Sequence, residues 1–182
     1  MDNSADNIFR IISFVAFTVT IAGVALHSVF CRHKRIKPGK EISQFQLISL
    51  RTLKILTCIV IFICTLVLII TGFFPKLILA KTISGYWLML HVTAATVFVC
   101  CLALFGLLYA EQHIFTKSAI LRAITFWLIL LLGLPLILSI VLSMFPFFGT
   151  HIQEFLIWTH RYSALLFSIT AIMHTYLTFL GK

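Results

Sequence analysis

Five apolar stretches, each long enough to cross a bilayer, recur along the chain, and they leave few folds open. A hydrocarbon core about 30 Å thick takes roughly 20 helical residues to span. Stretches of that kind lie at about 11–31, 55–75, 86–110, 123–145 and 155–180. Inside lipid, every backbone N–H and C=O must be satisfied within the chain, which leaves helices or a closed barrel. Continuous apolar runs of this length predict helices. The fold expected is therefore all-α and integral to a membrane, with residues 1–182 forming one membrane domain of five spans. Sixty-one per cent of residues are hydrophobic and 10% are charged, whereas a soluble domain runs at about 25% charged.

The net charge of +9 does not imply nucleic acid, because the basic residues gather between the spans. The segment 32–54 holds Arg32, Lys34, Arg35, Lys37, Lys40, Arg51 and Lys54 against Glu41 alone, with a turn expected at Pro38-Gly39. Basic loops stay cytoplasmic. This loop therefore predicts an outside N-terminus and a cytoplasmic C-terminus, although Lys76 and Lys81 on the opposite side weigh against it. The segment from Met1 to Arg10 is read as a short, mildly acidic lead into a retained first helix. Pro135 is expected to kink the fourth span. The cysteines Cys31, Cys58, Cys64, Cys100 and Cys101 form no C-x-x-C-H sequence and read as small apolar fillers.

Histidines inside apolar spans are the residues that point to chemistry. An ionisable group in hydrocarbon is costly and by default functional. His160 and His174 lie in the last span, and fourteen residues of helix rise roughly 21 Å while turning about 40° short of four full turns. Both imidazoles therefore share a helix face, one toward each side of the membrane. Haem b, held by axial histidine, is the ligand that suits this arrangement. His91 lies early in the third span, at the depth of His160, and His27 lies late in the first, at the depth of His174. Two bis-histidine haems would use all four. Gly23, Ala95, Ala164 and Ala171 stand three or four residues from these histidines, on the same faces, where a flat macrocycle needs room.

Arg161, beside His160, reads either as a partner for haem propionates or as an arginine reaching to the interface. His33, His113 and His151 fall in loops or at interfaces. His113, with Glu111 and Lys117, is a candidate for a quinone head-group or proton-uptake site on the inner face.

The run HRYSALLFSITAIMH followed by TYL, with the upstream TG and the GYWLMLHVTAA of the third span, resembles the membrane cytochrome b subunits of formate dehydrogenases, nickel–iron hydrogenases and thiosulfate reductases. The resemblance covers about residues 51–180. It implies a four-helix, two-haem bundle over about 53–180, with an additional N-terminal helix here. It also implies electron transfer between a partner subunit and a quinone in a bacterial cytoplasmic membrane. Carried over by position, His91 and His160 hold the outer haem and His174 one side of the inner haem. The family's fourth ligand would fall at about 51–56, where this chain reads RTLKIL without a histidine. The inner haem then takes His27 from the additional helix, or is differently ligated, or is absent, leaving one haem.

The chain holds no segment for a substrate, a flavin, an Fe–S cluster or a c-type haem. An extramembrane redox subunit, of Fe–S or multihaem cytochrome c type, is therefore expected to dock on it, with other membrane subunits beside it. By this reading the chain is an electron-transfer subunit of a larger oxidoreductase rather than an enzyme alone. Two alternatives use the same histidines without haem. One is a membrane anchor or assembly subunit, and the other a proton or solute carrier; paired carboxylates and an inverted repeat, which a carrier would favour, are missing from the spans.

Overall fold

The computed structural model describes residues 3–30, 45–79, 81–113 and 120–180. The basic residues Arg32, Lys34, Arg35, Lys37 and Lys40, the Pro38-Gly39 turn, Cys31, His33 and Lys117 lie outside them. Five long helices account for nearly all that is described: α1 (Asn3–Phe30), α2 (Phe45–Leu77), α3 (Tyr86–Tyr109), α4 (Ile120–Ser143) and α5 (Thr150–Leu180). A 3₁₀ turn, Ala110–His113, follows α3, and no strand occurs among the described residues. Each of the five helices contains an apolar window long enough to span a membrane. The chain is an all-α, multi-pass membrane protein.

Several helix ends differ from the sequence expectation; α2, for one, begins at Phe45 rather than near residue 55. α1 starts at Asn3 rather than near residue 11, so the acidic lead is helical. Its polar residues find partners there: Asp6 pairs with Lys76, and Arg10 donates to the Leu77 carbonyl at 3.2 Å. The second contact satisfies one of the carbonyls that a helix C-terminus leaves open. α2 runs through Pro75 to Leu77. Proline is tolerated there, one turn from the end, where the loss of its N–H leaves only the Thr71 carbonyl without its helical donor. α5 begins at Thr150, directly after Gly149, whose carbonyl accepts from Ile152 and Gln153; His151, read as a loop residue, is thereby helical and exposed. α4 runs unbroken through Pro135.

The chain divides into two compact units. In the first, α2 packs on α3, joined by the opening turns of α1 as far as Ile11. Thr57, Cys64 and Thr71 are buried at seven-residue spacing on α2, and Phe98, Leu102 and Phe105 are buried on α3. Phe9, 2% exposed, stacks on Phe73 and seats the start of α1. In the second unit, α4 packs on α5, joined by Ile12–His27 of α1. Here Phe126, Ile129 and Gly133 of α4 are buried, as are Ser163, Phe167, Thr170 and His174 of α5. The α5 residues recur every three or four positions, the period of a helix seam. Small and hydroxyl-bearing residues on such seams let helices approach and bond where lipid gives no hydrophobic drive. The cysteines Cys58, Cys64, Cys100 and Cys101 form no disulfide.

The Asp6–Lys76 pair is mostly covered, with side chains 24% and 12% exposed. Asp6→Asn, which removes the charge that compensates Lys76, is expected to cost about 1–2 kcal/mol. Thermal unfolding in detergent should record a Tm lowered by roughly 2–4 °C per kcal/mol; an unchanged Tm would mean the pair holds nothing in place.

Candidate functional site

The four span histidines share one feature: each ring presents Nδ1 to a partner on another helix. In the first unit, His91 of α3 meets Thr71 of α2, with Nδ1 2.8 Å from the hydroxyl oxygen. In the second, His174 of α5 meets Thr125 of α4 at 2.9 Å, and His160 of α5 meets the Leu136 carbonyl of α4 at 2.9 Å. His27, in the last turn of α1, bonds the Tyr176 phenol of α5 through Nδ1, with the two rings edge to face.

Proton accounting fixes the tautomer of His160 and ties those of His91 and His174 to a threonine hydroxyl. A carbonyl only accepts, so His160 donates from Nδ1 to Leu136. A threonine hydroxyl has one proton. It has two acceptors to choose between: the ring, or the carbonyl of the preceding turn, Val67 at 2.7 Å for Thr71 and Leu121 at 2.9 Å for Thr125. With the proton on the carbonyl, each hydroxyl oxygen is left to accept, and His91 and His174 donate to it from Nδ1. In a neutral ring the lone pair consequently stands at Nε2. This is the arrangement metal-binding histidines adopt, one nitrogen fixed by a hydrogen bond and the other turned to the metal. The chemistry of the donor set thus fits axial ligation of a haem iron.

Local sequence explains how the rings are held. On α2, Gly72 follows Thr71, and a Cβ there would come within 3.3 Å of the His91 Cε1 atom. The absence of a side chain at Gly72 is what lets the imidazole lie close against α2 and reach Thr71. His160 and His174 both turn toward α4, as their shared face predicts. His174 is 8% exposed, with the Phe126 ring 6.3 Å away, and His91 and His160 are half-buried.

His27 is exposed. Its bond to Tyr176 brings it to the same turn of α5 that carries His174, although residues 174 and 176 are roughly 200° apart around the helix. His91 belongs to one unit and His160 to the other. The Arg161 guanidinium lies 4.9 Å from the centre of the Trp158 ring, which itself stacks on Tyr162. Cation–π contact of this kind fixes the direction of a guanidinium.

Sequence reading gave Thr71, Gly72, Thr125 and Tyr176 no role beside the histidines, although the first two are the TG and the last lies in the TYL quoted for the resemblance. A signal was present for two of them. Thr71 is six residues before the end of α2 and His91 five after the start of α3; Thr125 is five after the start of α4 and His174 six before the end of α5. Antiparallel neighbours place such positions at equal depth. A main-chain acceptor such as the Leu136 carbonyl leaves no trace in sequence.

A second polar cluster lies in the first unit. The Tyr109 hydroxyl donates to the Lys54 carbonyl at 3.0 Å and accepts from the Cys58 thiol at 3.1 Å, and the Lys54 ammonium stands 5.8 Å from the Tyr109 ring centre. It occupies the stretch where the resembled family carries its fourth ligand, and it contributes no imidazole. Among the described residues, no three or more of His, Cys, Asp and Glu converge as a metal site. No protein-family model, no curated protein and no solved structure matches the chain.

Proposed function

We propose that the chain is the b-type cytochrome membrane subunit of a respiratory oxidoreductase complex. It carries electrons between an extramembrane redox partner, of Fe–S or multihaem cytochrome c type, and the quinone pool. His91 and His160 are assigned to the outer haem. His174 takes the inner one, with His27 as its second ligand. Arg161 is assigned to the propionates of the outer haem. The setting is a bacterial cytoplasmic membrane, N-terminus outside and C-terminus cytoplasmic, as the basic segment after α1 favours.

The observation that carries this reading is the uniform use of Nδ1 by the four span histidines, one of which, His160, must donate from it to a carbonyl. A haem iron supplies one-electron chemistry when bound. The chain's own residues hold the imidazoles by Nδ1, bury His174, and place the Arg161 guanidinium over Trp158. A histidine that serves only to join helices in lipid also hydrogen-bonds across them, which is the haem-free anchor reading. The two differ in a single measurement.

Pyridine haemochrome on the detergent-purified complex, with c-type haem from any partner separated spectrally, is expected to give two haems b per polypeptide. One haem would confine ligation to one pair of histidines. None would overturn the cytochrome and leave the anchor.

A further inference from the structure

The threonine contacts are more than packing. In each helix pair the earlier helix supplies a threonine whose hydroxyl stands within hydrogen-bond distance of both an imidazole and the carbonyl four residues back, Val67 for Thr71 and Leu121 for Thr125. A hydroxyl that gives its proton to that carbonyl can only accept from the ring. It faces His91 in one pair and His174 in the other, so the same device recurs at opposite ends of the two antiparallel pairs. His160 needs no such residue, because the Leu136 carbonyl serves it directly.

We propose that Thr71 and Thr125 are positioning residues that fix the tautomer of His91 and His174 and, through it, set the reduction potential of the haem that each histidine holds. The second half rests on the cytochrome reading above. An acceptor at Nδ1 draws the proton away from the ring and strengthens electron donation from Nε2. Such donation favours the ferric over the ferrous iron and lowers the potential; hydrogen bonds beyond the ligands are a recognised lever on metal sites. Valine has the shape of threonine without the acceptor, whereas serine keeps the hydroxyl and its bond to the preceding turn.

Potentiometric titration of the full complex should therefore show one haem shifted upward in Thr71→Val and the other in Thr125→Val. The expected size is about tenfold in the ferric–ferrous equilibrium, or ~59 mV for one electron. Thr71→Ser and Thr125→Ser should return the wild-type values. Valine variants indistinguishable from wild type, or serine variants that behave as valine, would overturn the proposal, the latter because only the methyl group would then matter.

A readout independent of haem comes from ¹⁵N-histidine NMR of the full-length protein after haem extraction. His91 and His174 should carry the proton on Nδ1 in the wild type and lose that preference in the matching valine variant. A wild type that binds no haem b would sink the cytochrome reading. The NMR signals would then still decide whether the threonines orient the histidines: an unchanged Nδ1 signal in the valine variants would overturn that part as well.

Discussion

His160→Ala and His174→Ala are each expected to halve the haem b content of the purified protein, and the double variant to abolish it. The two residues sit on one face of α5, fourteen positions apart, and bond to α4 at separate places, Leu136 and Thr125. Neither single substitution touches the partner of the other, so the losses should add, as expected for distant sites without shared contacts. Alanine keeps the helix, being its best former. Circular dichroism should therefore stay at the wild-type level while the reduced b-type absorption falls in two equal steps. The buried position of His174 adds a second effect. Removing it leaves the Thr125 hydroxyl oxygen without its donor and opens a cavity beside Phe126. An interhelical hydrogen bond in lipid contributes about 1–2 kcal/mol at most, so His174→Ala should also lower Tm more than His160→Ala, whose Leu136 carbonyl still has the Ser139 hydroxyl at 3.2 Å. If haem content were unchanged in both single variants, α5 would not be the ligand helix.

Gly72→Val should remove the haem assigned to His91 without touching that residue. Even the first carbon of a side chain would meet the His91 Cε1 at 3.3 Å, closer than carbon atoms comfortably pack. Valine adds two more carbons on the same Cβ, and its χ1 is nearly fixed in a helix. The ring must then move by more than the few tenths of an ångström that a lone Cβ would require, and so leave its place 2.8 Å from Thr71. Haem content is expected to fall from two to one while the second haem keeps its spectrum. Gly72→Ala, which presses on the ring without displacing it fully, should retain both haems with an altered axial field in the low-spin EPR signal. Two unaltered haems in the valine variant would mean that the close approach of α2 to His91 has no bearing on ligation.

Most of the architecture could be read from the chain because the bilayer imposes it. Five apolar runs gave five helices, and errors fell at the ends, where polar residues decide. Residues 3–10 were not apolar enough to read as part of a span. They are helical because Asp6 and Arg10 find Lys76 and Leu77 some seventy residues away, a partnership that local sequence does not encode. The common face of His160 and His174 followed from helix geometry, and both turn to α4.

Their partners were less accessible to sequence reading. Threonine is ordinary in membrane helices, since its hydroxyl can always bond the preceding turn. Thr71 and Thr125 therefore look like Thr18, Thr93 and Thr159, which bond back to the preceding turn in the same way. Only depth distinguishes the two that meet a histidine. Tyr176 was hidden in the same manner, as one more aromatic near a helix end.

The union of Asp6 with Lys76 and of Phe9 with Phe73 also bears on how the molecule is made. A chain is synthesised from its N-terminus, so α1 is in place long before its two partners on α2 exist. Closing so long a segment carries an entropic cost that grows only slowly with its length, and the delay is consequently one of supply rather than of search. Until α2 has been produced as far as Lys76, Arg10 and Asp6 remain ionic groups at the edge of the lipid with nothing to meet them. The finished ion pair is thus a latch that can shut only after the second span has been delivered, and the open latch marks the nascent chain in which that span is incomplete.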